Sequence, residues 1–235
     1  MATVFEDLMS KLREGLTDTP LHAHSPFEEY QGDPVRFCRE VLNETYTEDI
    51  EQLMRDAETY EAVAGQSANA TGKTHGAARF IVYFYLVYAN SQVFTFAAPP
   101  EGNLKNLLRG QIGDIILKNP LLFPGHKVST ASMRIERSAL SFIDGVTIPV
   151  SGDEKMIEAR FSGKHAPHLL FVGDEADAVP DPVYTGIESC MSGGHAKLVL
   201  LYNPRADRGP VSRMQKDGVI FTRELSAFTH PNVTS

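Results

Sequence analysis

The sequence predicts an α/β fold with a mainly parallel central sheet flanked by helices. Three observations carry this. Strand-like and helix-like segments alternate along most of the chain. Two strand-like runs, residues 169–173 and 197–202, are almost continuously apolar, which suits strands buried on both faces. A Gly72-Lys73-Thr74 turn stands between a short strand and a long apolar helix, and two acids close a buried strand about a hundred residues later.

Residues 1–33 are polar and punctuated by Asp18-Thr-Pro, Ser25-Pro and Gly32-Asp-Pro, which reads as a short helix and then an extended arm. Residues 34–44 open with proline and place Val35, Phe37, Val41 and Leu42 on one face, so they form a helix. A second helix over 47–60 turns Ile50, Leu53 and Met54 inward, and residues 60–65 form a short strand. The next helix spans 73–89, followed by a strand at 92–98 that Pro99 and Pro100 stop. Residues 101–118 carry Leu104, Leu107, Leu108, Ile112, Ile115 and Ile116 at helical spacing. Short alternating segments with Asp144-Gly and Gly152-Asp turns suggest a β-hairpin insertion over 128–157. Strands at 169–173, 197–202 and 219–225 and helices at 182–191 and 211–216 complete the chain, giving one domain over 34–235.

The 235 residues suffice for one sizeable core, and 42% hydrophobic with 22% charged residues is ordinary for a globular domain. Cys38 and Cys190 lack metal-ligand spacing and read as reduced thiols. Residues 1–16 are amphipathic and charged, unlike a signal peptide, and the most apolar run, 80–89, is too short to span a bilayer. A net charge of −8 argues against a passive, high-affinity nucleic-acid binder. A motor gripping DNA through a local patch remains open, with Arg205, Arg208, Arg213 and Lys216 as candidates beside the plainer reading of solvated charges.

The chemistry concentrates in two segments. Ser67, Ala68, Asn69, Ala70, Thr71, Gly72, Lys73 and Thr74 form a phosphate-binding loop. Such a loop needs inward backbone N–H groups, a helix N-terminus behind them, and a lysine for the outer phosphates. Gly72 allows close approach, Lys73 supplies the charge and Thr74 offers its hydroxyl to Mg²⁺. The strict pattern asks for glycine where this chain has Ser67. Asp174 and Glu175 emerge at the C-terminal end of a central strand, where open α/β sheets bind ligands. Asp174 is expected to hold the Mg²⁺ shell and Glu175 to polarise the attacking water. Asn203 ends the next buried strand, either facing a γ-phosphate or serving as an Asn-Pro turn. These features point to a P-loop NTPase of the additional-strand, catalytic-glutamate type that binds ATP with magnesium.

The same residues resemble the ATPase domain of the large terminase subunit, the DNA-packaging motor of tailed bacteriophages. The resemblance runs over about residues 28–234 and rests on D-P-V-R-F-C-R-E-V-L, Gln52, S-A-N-A-T-G-K-T, S-G-K-H-A-P-H-L-L-F-V-G-D-E-A-D-A-V-P-D, L-L-Y-N-P-R-A-D-R-G-P and H-P-N-V. It implies that Gln52 recognises adenine and that Asn203 lies in the motif coupling hydrolysis to movement. It implies that a basic residue ahead of the acidic strand acts on a neighbouring subunit's ATP, with Arg160 and Lys164 as candidates. The arginine-glycine pair usual there is Ser162-Gly163 in this chain.

The implied partners are double-stranded DNA, the portal protein and the small terminase subunit, in a homo-oligomeric ring when active, or a monomer in isolation. No membrane is involved. The implied location is the host bacterial cytoplasm during virion assembly, without retention in the mature virion. Family members carry a second, nuclease domain, and this chain ends before one, so no DNA cleavage is expected of it. Two other readings stand beside this one: a helicase-like or repair ATPase, and a nucleotide-binding module that switches without turnover.

Overall fold

A computed structural model describes residues 24–67, 72–99, 101–129, 134–149, 153–204 and 209–226. Its centre is an eight-stranded sheet in the order β3-β4-β5-β2-β6-β7-β1-β8. The strands are β1 (Ala62–Gln66), β2 (Ser91–Ala97), β3 (Lys127–Ser129), β4 (Arg134–Ser138), β5 (Ser141–Gly145), β6 (His168–Asp174), β7 (His195–Tyr202) and β8 (Phe221–Glu224). Pairing is parallel from β5 through β2, β6, β7 and β1 to β8, and antiparallel only at the β3-β4-β5 end. The strand leading to the phosphate loop, β1, therefore has β7 between it and the acid-bearing β6. This is the additional strand expected from the sequence.

Two cores flank the sheet, and residue alternation decides which side chain enters which. Leu170 and Val172 of β6, with Val199 and Leu201 of β7, face one core. Leu169, Phe171, Leu198 and Leu200 face the other. The first is covered by α1 (Pro34–Glu40), α2 (Glu48–Thr59), α3 (Lys73–Val87) and the helical stretch 102–118; the second by α6 (Glu154–Phe161), α7 (Asp181–Glu188) and α8 (Pro210–Lys216). With both faces covered, β6 and β7 have no solvated side, which explains their nearly unbroken apolar character.

Local chemistry sets the helix starts. Pro34 occupies the first position of α1, and Asp33 accepts the Arg36 N–H at 3.0 Å. The acids Glu48, Asp49 and Glu51 occupy the first turn of α2, where the helix dipole favours them. From Gly76 onward α3 is buried on every side because it lies between the sheet and a second helical layer. A Cβ on Gly76 would come within 2.7 Å of Ile50 Cγ2, so glycine there lets α2 lie close against the first turn of α3. The stretch 102–118 is helical throughout: α4 (Gly102–Lys105), a π-helical segment Asn106–Ile112, then α5 (Gly113–Lys118).

Two expectations need correction. The 128–157 region is not an inserted hairpin. β4 and β5 do form a hairpin, but β5 pairs parallel with β2, so the hairpin extends the central sheet. Its last part is helix α6, started by Asp153 accepting the Lys155 N–H and held by Ile157 and Phe161, one turn apart and both buried. The arm is also shorter than residues 1–33. Phe27 and Tyr30 are buried in the first core, edge-on to Phe37, and Ser25 bonds the Leu86 carbonyl. Residues 1–23 lie outside the described residues.

Candidate functional site

The site forms at the C-terminal ends of β1, β7 and β6. Gly72 adopts φ +80°, a left-handed conformation that disfavours other residues, and α3 begins immediately after it. Lys73 is thereby turned back toward the strand ends, where Nζ donates to Asn203 Oδ1 at 2.5 Å and to Ser67 Oγ at 3.3 Å. Ser67 is anchored by its N–H to the Tyr202 carbonyl of β7 at 3.3 Å. Thr74 Oγ1 donates to Asp174 Oδ2 at 3.2 Å. The other oxygen, Asp174 Oδ1, accepts the Glu175 N–H at 2.9 Å. Glu175 stands at φ +49°, an uncommon conformation for a residue with a side chain, and turns the chain out of β6 into a 3₁₀ turn, Ala176–Ala178. Five residues from four segments thus meet: Ser67, Lys73, Thr74, Asp174 and Asn203, with Glu175 adjoining.

The electrostatics favour a ligand carrying both signs of charge. Burial pushes the Asp174 carboxyl up, against the opposing effect of the Glu175 N–H and the Thr74 hydroxyl; the neighbouring Glu175 charge pushes it further, and Lys73 opposes it. Burial also pulls the Lys73 ammonium down, only partly offset by Asp174 and Glu175. Each charge is thus incompletely compensated. A phosphate would offer Lys73 stronger acceptors than it now holds, and a divalent cation would offset the Asp174 charge. Among the described residues no three His, Cys, Asp or Glu side chains converge as a metal cage. The all-oxygen pair of Thr74 and Asp174 suits Mg²⁺, which uses one or two protein oxygens and fills its shell from phosphates and water.

Behind the loop lies a second polar network. Arg79, fully buried on α3, donates to Glu44 through Nε at 2.8 Å and Nη2 at 3.1 Å, and to Gln111 Oε1 at 3.3 Å. His75 Nδ1 meets the same Gln111 oxygen at 3.1 Å. Burial lowers the Arg79 pKa, but the bonds and charge of Glu44 outweigh it and hold the guanidinium firmly charged. This network ties the phosphate-loop helix to the π-helical segment.

Other expected residues fall elsewhere. Ala68, Asn69, Ala70 and Thr71 lie outside the described residues. Gln52 sits half-buried on α2, its Nε2 donating to Asp56 Oδ1 at 3.2 Å. Arg160 is exposed and bonds the Thr147 carbonyl at 3.3 Å, away from the cluster. Lys164 stands over the Phe94 ring at 5.2 Å, three register steps before the Ala97–Asp174 pair. Of the basic patch, Arg205 and Arg208 are outside the described residues, and Arg213 pairs with Asp181. Sequence reasoning missed two features. Ser67, expected in the phosphate loop as a replacement for glycine, also supplies a hydroxyl to Lys73. Asp177 accepts the Ser212 N–H at 3.3 Å and latches α8 beside the acidic turn, with the repeated acid of D-E-A-D as the only signal.

The folding pattern matches solved structures. The HK97 bacteriophage large terminase superposes with a TM-score of 0.62 at 14% identity, over 84% of this chain and 44% of that one. The Thermus phage P74-26 large terminase ATPase domain, as a point mutant, gives 0.60 at 13% identity, over 83% of this chain and 87% of that one. The chain has the fold of the phage large-terminase ATPase domain. A large terminase from a thermophilic bacteriophage, solved in complex with ADP, shares the terminase fold at a TM-score of 0.56 and 12% identity, over 77% of this chain and 46% of that one. The chain thus spans less than half of the longer terminases and most of the isolated ATPase domain. No protein-family model and no curated protein sequence matches it.

Proposed function

We propose that the chain is an ATP-hydrolysing motor domain of a viral large terminase. The observation that carries this is the meeting of Lys73, Thr74, Asp174 and Asn203 at the ends of three adjacent parallel strands of a terminase ATPase fold. Lys73 exchanges Ser67 and Asn203 for outer phosphate oxygens. Thr74 and Asp174 would hold Mg²⁺, which when bound would supply positive charge to the phosphoryl group. Glu175, aimed out of β6 by its backbone, accepts a proton from the attacking water. Asn203 loses its bond to Lys73 when phosphate arrives and regains it on release, so β7 registers the state of the site.

The motor so formed drives double-stranded DNA into a procapsid, as a ring seated on a portal with a small terminase subunit as partner, in the host cytoplasm. Arg160, exposed on α6, is the candidate to reach a neighbour's site.

The test is steady-state ATP hydrolysis with Mg²⁺ by this chain and by Glu175→Ala across protein concentrations. Turnover that needs Glu175 and rises per subunit with concentration supports an ATPase completed by its neighbour. Nucleotide binding without turnover, even with portal and procapsid added, would sink the hydrolytic reading.

A further inference from the structure

The turn after β6 has to be held in place. Glu175 stands at φ +49° and ψ +40°, which a residue with a side chain keeps only when its surroundings impose it. Three anchors flank it. Asp174 Oδ1 accepts the Glu175 N–H at 2.9 Å. The hydroxyl of Tyr184, buried on α7, donates to the Ala176 carbonyl at 2.5 Å. Asp177 Oδ1 accepts the Ser212 N–H at 3.3 Å, and its other oxygen accepts the Ser212 hydroxyl at 3.5 Å. The first two lie within β6 and the helix after it. Of the three, only the last crosses to α8, the helix that follows β7 and Asn203.

Asp177 fits that contact in two ways. It supplies the carboxylate that caps the start of α8, where the capping position is Gly209 and has no side chain to offer. Gly209 also leaves the room: a Cβ there would lie 1.8 Å from Asp177 Oδ1, so the carboxylate fills the space of the missing side chain. Gly209 has φ −71° and ψ 165°, which any residue adopts, so glycine provides space here and not backbone freedom. The abutment is firm. Val211 of α8 is fully buried. In the last turn Gln215 Oε1 lies 3.1 Å from the Tyr202 hydroxyl, which also lies 2.6 Å from Gln66 Oε1 at the end of β1.

We propose that Asp177, seated on Gly209 and Ser212, is a positioning residue for hydrolysis: it ties the acidic turn to α8 and so holds Glu175 where it can take the proton of the attacking water. The inference rests on the hydrolytic site proposed above. Asp177 touches neither nucleotide nor water in this role and acts through Glu175. Without the tie, the turn shifts about the end of β6. Asp174, still within the strand, stays beside Thr74, so nucleotide binding is kept while the base is misaimed.

The experiment measures kcat for Mg²⁺-ATP hydrolysis, ADP affinity by calorimetry and melting temperature on the full chain, at the protein concentration where wild-type turnover per subunit is highest. The variants are Asp177→Ala, Asp177→Asn, Gly209→Ala and the double variant Asp177→Ala with Gly209→Ala. Asp177→Ala is expected to lower kcat about 10- to 100-fold, as displacing a catalytic group by up to about 1 Å does, with ADP affinity within about threefold of wild type. Asp177→Asn keeps an acceptor for the Ser212 N–H and a donor for its hydroxyl, and brings kcat back to within about threefold of wild type. Gly209→Ala removes no hydrogen-bonding group, but its methyl displaces the carboxylate, so kcat falls over the same range. In the double variant that methyl meets no carboxylate, and kcat is no lower than in Asp177→Ala alone. Gly209→Ala decides the matter if Asp177→Ala does not fold.

A purely structural role would lower the melting temperature of Asp177→Ala and Gly209→Ala and leave kcat of the folded protein unchanged, which overturns the proposal. So does a double variant whose loss is the product of the two single losses. In both cases wild-type turnover stands, and with it the proposed function. A wild type that binds ATP without turnover removes the hydrolytic reading and the role of Asp177 together.

Discussion

β7 carries a buried lysine contact at each end, and the two ends differ in kind. Near its start, Lys197 is 6% exposed and donates to the carbonyls of Glu58 at 2.5 Å and Tyr60 at 3.0 Å, at the end of α2. Just beyond its end, Asn203 accepts from Lys73, which is 7% exposed. Burial depresses both ammonium groups, and nearby carboxylates partly offset it in both. With burial equal, the partners make the difference. Lys197 holds backbone oxygens at the end of α2, so it closes a helix end. Ser67 and Asn203 offer Lys73 side-chain oxygens from two other segments, which can turn away when a better acceptor arrives. A buried cation whose partners can be exchanged is suited to a ligand, and one on fixed carbonyls is suited to stability.

The largest effect expected at the exchangeable end is on rate. Glu175→Gln should lower kcat for ATP hydrolysis by about 10²–10⁴-fold, the usual worth of a general base, with ATP still bound in equilibrium dialysis. Next, Lys73→Met should weaken ATP binding by about 10- to 100-fold, as loss of a charge-assisted bond does, while the melting temperature measured without nucleotide does not fall. Lys197→Met should do the reverse. Two carbonyls lose their donor, stability drops by about 2 kcal/mol, and Tm falls by about 4–8 °C in calorimetry with ATP affinity unchanged. If the two methionine variants gave the same pattern, the contrast between the ends of β7 would be broken.

The smallest effect is a pH dependence that arises at the Lys197 end. His168 and His195 face each other there, Nδ1 to Nδ1 at 3.0 Å, packed against the Tyr88 ring. Burial lowers both pKa values from 6.5; the charge of His195 lowers His168 further, and that of Lys197 lowers His195. The fold thus favours the neutral rings. Their contribution is full above pH 6.5 and is lost as pH falls through the depressed folded values. Melting curves on either side of that window should show a drop at the acid end that His195→Asn reduces, with nucleotide affinity at neutral pH untouched.

The parts of this molecule legible in the sequence were those with a local signature. The apolar runs of β6 and β7 and the proline at the start of α1 each report a rule that acts over a few residues. Lys73, Thr74, Asp174 and Asn203 were legible because each ends a strand or starts a helix, and parallel strands bring those ends together. The rest depends on partners distant in sequence. Arg79, in the middle of an apolar helix, makes sense only with Glu44, 35 residues away. The Asp56 carboxylate that Gln52 meets is paired with Arg223, 167 residues later. Helix α6 was read as strand because its apolar signal is a single turn, Ile157 and Phe161, beside a stretch of real strands.

The place of β1 in the sheet also governs the order in which the molecule can assemble. Its two neighbours are β7 and β8, the last two strands among the described residues, with Ala62 opposite Leu198 and Val63 opposite Phe221. During synthesis from the N-terminus, β2, β5 and β6 can pair among themselves while β1 still waits with both edges open. Contacts so far apart close late and slowly. The strand that carries the phosphate loop is therefore secured only when nearly the whole domain has left the ribosome. Nucleotide added to a nascent chain should protect it from protease only after β7 has emerged.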